Sequence, residues 1–199
     1  MVGNADKRQH ILDVATRLAR TEGLRGLSVR SVAAEAGIGA TTLRTYFPSQ
    51  ALLYRAVAER LAAHALSDDW IGDTSRTPAD RLHASLSQFF PRMAQLRHAL
   101  TVWFELLTLS VGPETNPEVL ELVRSGYEQS ASIVGRWFTR LAEDGCGLPE
   151  PPEVLAGRFL TIVDGLQLDL LLNPDEAALG RVEDTLRWFV KQALVTEAG

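Results

Sequence analysis

The segment 28–47, SVRSVAAEAGIGATTLRTYF, carries side chains suited to binding nucleic acid. Its first half places apolar residues at helical spacing, and Gly37 follows as a helix stop. Ser28 stands where a hydroxyl oxygen can cap the first free amides. In the second half only Leu43 and Phe47 suit a core, so the hydroxyl and cationic side chains around them face outward. Such a surface suits phosphates and base edges, and the segment predicts a DNA-binding helix-turn-helix.

Charge is divided unequally along the chain. Residues 1–60 hold nine Lys or Arg and five Asp or Glu, whereas the remainder is acidic enough to bring the net charge to −5. A DNA backbone attracts local positive charge and repels negative charge. Nucleic-acid binding is therefore expected at the N-terminal end alone.

Composition indicates a folded protein, since 46% of the 199 residues are hydrophobic. The longest apolar stretch, about 99–111, contains Glu105 and is too short to span a bilayer. The first ten residues lack the apolar core of a signal peptide, so we expect a cytoplasmic location. The single cysteine, Cys146, can form no intrachain disulfide and lacks a second zinc ligand. We predict no metal site and no cofactor.

Caps and breakers predict three N-terminal helices and a fourth that follows them. The first runs from about Asp6 to Glu22 and ends at Gly23, and its apolar stripe comprises Ile11, Ala15 and Leu18. The fourth helix follows Pro48 and Ser49, and its predicted core residues are Leu52, Leu53, Ala56, Val57 and Leu61. The polar segment 67–76 predicts a loop that ends this region.

The rest of the chain also predicts helices. A threonine cap and a proline in the sequence Thr77-Pro78 predict the start of the next helix. The stretch 98–110 is apolar on nearly every side, which is typical of a central helix, and we expect it to be the spine of the larger part. Further helices are predicted at about 117–144, 153–172 and 176–193. Because neither a strand pattern nor an internal repeat is found, the sequence predicts an all-α fold.

The segment from Arg8 to Val57 resembles the DNA-binding domain of the TetR family of transcriptional repressors. The matching positions are Gly23, Ser28, Val29, Val32, Ala33, Ala36, Gly37, Leu43, Phe47, Leu52 and Leu53. The resemblance implies a helix-turn-helix domain over residues 1–66 and a larger helical ligand-binding and dimerisation domain over residues 67–199. It also implies a repressor that binds a pseudo-palindromic operator as a homodimer and responds to a small hydrophobic effector.

Two positions depart from the family pattern where the family contacts the DNA backbone. Arg44 replaces a common tyrosine, and it offers forked contacts to phosphate or guanine. Gln50 replaces a common lysine, although it still lies at a helix N-terminus that attracts phosphate. The lysine contact therefore does not carry over directly.

The second helix of a helix-turn-helix enters the major groove, which divides the predicted contacts by position. We predict base-edge contacts for Arg30, Thr42, Arg44 and Thr45, with Gly39 and Ala40 permitting close approach. We predict phosphate contacts, which set register, for Ser28, Thr41, Tyr46 and Gln50. The alternatives are solvated cations at Arg30 and Arg44 and partial burial of Tyr46.

A homodimer needs a self-complementary surface, and the last two helices offer one. Gly157, Thr161 and Gly165 are four residues apart and permit close helix approach. The remaining predicted interface residues are apolar: Leu168, Leu172, Val182, Leu186, Phe189 and Val190. The alternative is that these surfaces close the core of the single chain.

Large side chains of the middle helices suit a ligand cavity. The predicted lining is Gln88, Phe89, Phe90, Met93, Trp103, Phe104, Glu105, Leu107, Trp137, Phe138, Asp164 and Gln167. Core packing is the alternative for the aromatic residues. A buried Glu105 requires a partner or a cationic ligand, whereas an exposed stripe on its helix removes that requirement.

Two other classes of function compete with this reading. A small all-α enzyme would have to use residues that form no recognisable catalytic motif: His83, His98, Glu105, Asp164 and Asp169. A helical interaction module explains the C-terminal part but gives the DNA-reading helix no purpose. We predict no catalytic residue.

Overall fold

The computed structural model describes residues 4–23, 26–61, 66–90, 93–111 and 117–195, and within these ranges its regular structure is helical. The helices there are α1 Asn4–Glu22, α2 Val29–Glu35, α3 Ala40–Tyr46, α4 Gln50–Leu61, α5 Asp69–Gly72, α6 Pro78–Leu86, α7 Met93–Val111, α8 Pro117–Glu143, α9 Pro152–Leu172 and α10 Glu176–Ala193. A 3-10 turn at Ser87–Phe89 follows α6. The predicted all-α fold is confirmed. None of the described helices is long and apolar enough to cross a membrane.

The chain forms two compact units. The first unit comprises Met1–His64 and His98–Ser125, and the second comprises Ala65–Arg97 and Gly126–Gly199. The predicted boundary after residue 66 lies close to the first break in the chain, whereas the first unit also includes a later segment. The assignment of functions to 1–66 and 67–199 stays a prediction.

The core of the first unit forms where α1 packs on α2 and α4. The predicted α1 stripe of Ile11, Ala15 and Leu18 is buried in it. From α7, Val102 and Leu106 enter the same core. The prediction that this helix is the spine of the larger part is therefore wrong, because an apolar surface shows that a helix is buried but does not identify its neighbours. The apolar residues of α7 are also not all covered, since Val111 at its end is 75% exposed.

Glycines in the left-handed region end two helices of the first unit. Gly23 has φ 70° and donates its N–H to the carbonyl of Ala19 over 3.1 Å, ending α1. Gly37 has φ 66°, and after it the N–H of Ile38 donates to the carbonyl of Ala33 over 2.9 Å, which closes a Schellman motif. Both predicted stops are confirmed, because a positive φ suits glycine far better than other residues.

The second unit has an aromatic core. The ring of Phe89 lies edge-on to Trp137 at 6.4 Å and to Phe159 at 5.2 Å between centroids. Phe159 contacts Phe189 of α10 at 5.5 Å, and α10 packs on both α6 and α9. These contacts join α6 and the turn after it to α8, α9 and α10 in one core.

Side-chain caps begin two helices of this unit, and the one at Thr77 confirms the prediction. The Thr77 hydroxyl accepts from the Asp80 N–H over 3.2 Å at the start of α6. The Asp175 carboxylate accepts from the Ala178 N–H over 2.8 Å at the start of α10. Such caps need only a few neighbouring residues, which makes them readable from sequence.

Two local expectations are wrong. The segment 67–76 is not simply a loop, because it contains α5 and buries Ile71. In α4, Leu52 is 45% exposed although we expected it in the core, whereas Leu53, Ala56 and Val57 are buried. Both errors arise because polarity and periodicity, averaged over a segment, do not fix the burial of a single residue.

Candidate nucleic-acid interface

The helix-turn-helix begins with a reciprocal cap. The Ser28 hydroxyl accepts from the Ser31 N–H over 2.9 Å, and the Ser31 hydroxyl accepts from the Ser28 N–H over 3.0 Å. The Ser31 hydroxyl also donates to the carbonyl of Gly26. These bonds fix the start of α2, confirming Ser28 as its cap. The bond from the Ser31 N–H also occupies the Ser28 hydroxyl, for which we predicted a phosphate contact.

Helix α3 separates a buried side from an exposed row. Leu43 and Phe47 are buried in the core of the first unit, as the spacing predicted. The exposed residues are Ala40, Thr41, Thr42, Arg44 and Thr45. We call these five the α3 row. Gly39 precedes them as the N-cap and makes no side-chain bond to the helix. The predicted base-reading side chains of α3 therefore lie on one accessible surface.

The predicted cations of this surface are exposed and accessible. Arg30 lies on α2 and Arg44 on α3. In the part of the chain that the structure describes, neither forms an ion pair, whereas Arg17 pairs with Glu35 over 2.8 Å. An arginine without an internal carboxylate keeps all its donors for an external anion.

Tyr46 is half-buried and packs against the core of the first unit. This is the partial burial that we gave as its alternative. A phosphate contact through its hydroxyl remains a prediction.

Gln50 is exposed, yet its side-chain amide is hydrogen-bonded to other residues of the chain. The amide nitrogen donates to the carbonyl of Leu27 over 3.1 Å and to the hydroxyl of Tyr54 over 2.6 Å. A primary amide has two N–H donors, so both are occupied. Ser49 caps α4 by accepting from the Leu52 N–H over 3.2 Å. Gln50 therefore joins α4 to the residue that precedes the cap of α2, and its predicted phosphate contact would cost it these bonds.

The surroundings of Tyr54 shift the pKa of its phenol. Burial raises the pKa of its phenol, the hydrogen bond from Gln50 opposes that change, and the negative charge of Glu105 adds to it. The phenol thus stays neutral near neutral pH and keeps its hydroxyl proton.

Glu105 lies within the first unit, against the end of α1. Its carboxylate oxygens lie 2.6 and 2.9 Å from the position that a Cβ on Gly23 would occupy. Glu105 is half-buried, it is not without interactions, and its negative charge acts on Tyr54 of the same unit. Its predicted part in a ligand cavity remains a prediction.

The other predicted cavity residues divide between the units. Trp103, Phe104 and Leu107 belong to the first unit with Glu105, and the rest belong to the second. Trp137 and Phe138 are fully buried in the core of their unit, as the packing alternative expects. The Met93 side chain lies outside the described residues.

The remaining predicted cavity residues of the second unit differ in burial and in hydrogen bonding. The Gln88 amide accepts from the Ser67 N–H over 2.7 Å and donates to the Ser67 carbonyl over 3.0 Å. Gln167 and Phe90 are half-buried. Asp164 is exposed on α9, yet partial desolvation raises the pKa of its carboxyl. Asp164 is thus easier to protonate than an ordinary surface aspartate.

The predicted dimer residues of α9 and α10 differ in exposure. On α9, Leu168 is 43% and Leu172 is 68% exposed, and a Cβ added to Gly157 or Gly165 would meet no atom within 4 Å. Thr161 is exposed between the two glycines.

The apolar residues assigned to the interface on α10 are instead buried within the single chain: Val182, Leu186, Phe189 and Val190. This is a correction. An apolar stripe predicts a buried surface but does not say whether its own chain or a partner covers it. Leu179 and Trp188 are the exposed large apolar residues that α10 presents in the described range.

One further cation was not predicted as a site residue. The guanidinium of Arg8, on α1, lies over the ring of Phe47 at 5.1 Å from the centroid. A cation on the polar side of a first helix is common, so the sequence gives it no distinguishing signal. The contact with Phe47 becomes visible only in the folded chain, where α1 packs on α4.

Comparison with known proteins identifies relatives along the whole chain. Residues 11–57 match the family model of bacterial regulatory proteins, tetR family, and residues 78–195 match that of the BetI-type transcriptional repressor, C-terminal. An uncharacterised regulator in the dhlA 5′ region of Xanthobacter autotrophicus is 25% identical, over 94% of this chain and 90% of that protein. The nicotine-responsive repressor HdnoR of Paenarthrobacter nicotinovorans is 22% identical, over 88% and 89%.

Solved structures share the fold. A transcriptional regulator from Saccharomonospora viridis in complex with choline gives a TM-score of 0.75 at 21% identity, covering 98% of this chain and 100% of that one. The SmeT–triclosan complex gives 0.74 at 19% identity, covering 96% and 93%.

Proposed function

Because the chain belongs to the TetR family of DNA-binding transcriptional regulators, we propose that it represses transcription by binding a pseudo-palindromic operator as a homodimer and that a small hydrophobic effector controls this binding. Proteins of this family are regulators and not enzymes.

The α3 row is the observation that carries operator binding. It presents threonine hydroxyls and the Arg44 guanidinium on one exposed surface, while Leu43 and Phe47 hold the helix in the core. Arg30, Thr42, Arg44 and Thr45 contact base edges, with close approach at Gly39 and Ala40, and Thr41 and Tyr46 contact phosphates. Ser28 and Gln50 chiefly position α2 and α4 through their internal hydrogen bonds.

The exposed side of α9 supports the dimer. Its small residues Gly157, Thr161 and Gly165 lie between exposed apolar side chains at both ends, Val154 near the start and Leu168 and Leu172 near the finish. Two copies of this helix approach each other closely along that side. Trp188 and Leu179 of α10 extend the same interface in place of the buried residues.

The relatives support control by a small molecule. HdnoR is named as nicotine-responsive, and the two solved structures contain choline and triclosan. All three compounds carry apolar groups, which suits a cavity lined by aromatic residues. We extend that character to the effector of this protein: a small, largely apolar molecule.

Operator binding is tested by selecting bound DNA from a random-sequence pool with the full-length protein. The expected result is a pseudo-palindrome whose affinity falls steeply with salt, since phosphate contacts release counterions. A single asymmetric site would contradict the dimer, and the absence of any enriched sequence would contradict operator binding.

Assembly and effector have separate tests. Sedimentation equilibrium should give a dimer, and Gly165→Leu should shift it toward monomer because a bulky side chain separates the α9 helices. A thermal-shift screen with nicotine, choline and triclosan should then find a stabilising compound. Adding that compound to the operator complex shows whether the effector releases or promotes DNA binding.

A further inference from the structure

The cations of the first unit fall into two groups. Arg17 pairs with Glu35 over 2.8 Å and Arg55 pairs with Glu59 over 2.9 Å, so an internal carboxylate neutralises each. Arg8 is exposed, and within the described ranges it forms no ion pair. Its charge is therefore available to an anion from outside the chain.

The protein holds the Arg8 guanidinium at a defined place. It lies 5.1 Å from the ring centroid of Phe47, a buried residue that immediately follows α3. A cation over a ring uses the face of the guanidinium and leaves its N–H groups at the edge free to donate. Stacking also restricts the long side chain, which reduces the entropy lost when it binds a partner.

Position 50 does not offer a cation to the same region. Both N–H donors of Gln50 are used, toward the Leu27 carbonyl and the Tyr54 hydroxyl. Its side chain is neutral, and an external anion would have to displace one of these bonds. The start of α4 therefore lacks a positive side chain at residue 50. Arg8 lies beside Phe47, which precedes residue 50 by three positions in the chain.

We propose that Arg8 binds a DNA phosphate beside the junction of α3 and α4, supplying the positive charge that residue 50 lacks. This rests on the operator binding proposed above. A phosphate is the expected partner rather than a base edge, because Phe47 belongs to the buried side of α3 and Arg8 therefore lies away from the α3 row. Arg8 thus contributes affinity and register but no sequence preference.

The test compares Arg8→Gln with the unaltered protein on its selected operator, across a salt series. Loss of one charge-assisted hydrogen bond should weaken binding on the order of tenfold at low salt. The slope of log affinity against log salt should flatten by about 0.9. Binding to non-specific DNA should weaken by the same factor, since phosphates are present in every sequence.

Two variants separate a local contact from other effects. Arg8→Lys keeps both the charge and the contact with Phe47 and should restore most of the slope. Arg55→Gln removes the same unit of charge from a pair on α4 and should leave the slope unchanged. Thermal unfolding of each variant shows whether Arg8 also stabilises the fold.

The outcomes distinguish the hypotheses. If Arg8→Gln binds with the native slope, or if Arg55→Gln flattens it equally, the phosphate contact is overturned while operator binding stands. Loss of operator affinity with unchanged non-specific binding would overturn the phosphate assignment in favour of base reading. If the unaltered protein binds no DNA specifically, the proposed function fails together with this inference.

Discussion

Two arginines, one in each unit, show opposite uses of the same side chain. Arg44 lies exposed in the α3 row and, within the described ranges, forms no ion pair. Arg81 in the second unit is 3% exposed, donates to the Ile71 carbonyl and pairs with Asp144 over 2.5 Å. A buried guanidinium must satisfy its donors internally, whereas an exposed one keeps them for a partner. The comparison teaches that Arg81 is committed to folding, whereas Arg44 is left available for the operator contact that we propose.

The largest expected effect is on folding of the second unit. Arg81→Ala leaves the Ile71 carbonyl and the Asp144 carboxylate without their donor and should lower the free energy of unfolding by about 3 kcal/mol. Urea denaturation followed by tryptophan fluorescence measures it. Arg158→Ala removes an exposed partner of Glu150 and should cost at most about 0.5 kcal/mol. Equal losses in the two variants would break the comparison.

The next effect is on recognition. Arg44→Ala should reduce operator affinity by about 1–3 kcal/mol if it contacts a guanine, with little change in unfolding. Fluorescence anisotropy with the selected operator and with single-base variants measures the change. Loss of discrimination at one base pair would indicate base reading, and a flatter salt slope would indicate a phosphate. Unchanged binding would show that Arg44 is merely solvated.

A smaller effect is expected at Gln50, where folding and recognition meet. Gln50→Ala removes the donor to the Leu27 carbonyl and should lower the free energy of unfolding by about 1 kcal/mol. Operator affinity should fall modestly with no change in the salt slope, because the residue positions α2 and carries no charge. Unchanged stability together with an equal loss of affinity for operator and non-specific DNA would instead support the original prediction of a phosphate contact.

The smallest effect concerns the stability of the fold at low pH. The Arg81 hydrogen bond lowers the pKa of Asp144, and the charge of Arg140 contributes to this lowering. A depressed pKa stabilises the fold above the unfolded pKa of about 4, and this contribution disappears as the pH falls through the lower folded value. Denaturation midpoints below pH 4 should therefore decline less steeply in Asp144→Asn. Parallel curves for the two proteins would contradict this linkage.

Local signals predicted much of the fold. Ser28 and Thr77 cap helices at the expected positions, and Gly23 and Gly37 end helices as predicted. Each of these features depends on a few neighbouring residues and on backbone sterics, so the sequence reveals it directly.

Long-range partners were the part that the sequence did not reveal. Val182 and Leu186 were expected to meet a second chain but are buried in the core of their own. The inward bonds of Gln50 and the stacking of Arg8 on Phe47 join residues far apart in sequence. Periodicity predicts that a side chain is covered, whereas the identity of the covering residue depends on how all the helices pack.

The division within α3 bears on how this protein can acquire new operators. Leu43 and Phe47 hold the helix, so the five residues of the α3 row contribute little to folding. Exposed substitutions usually change stability by less than about 0.5 kcal/mol. Gene duplication followed by changes at Thr42, Arg44 and Thr45, the α3 side chains that we propose to contact base edges, can therefore explore new DNA sequences without first losing the folded protein. The same three positions are the natural choice for a library that redirects the regulator to a chosen promoter.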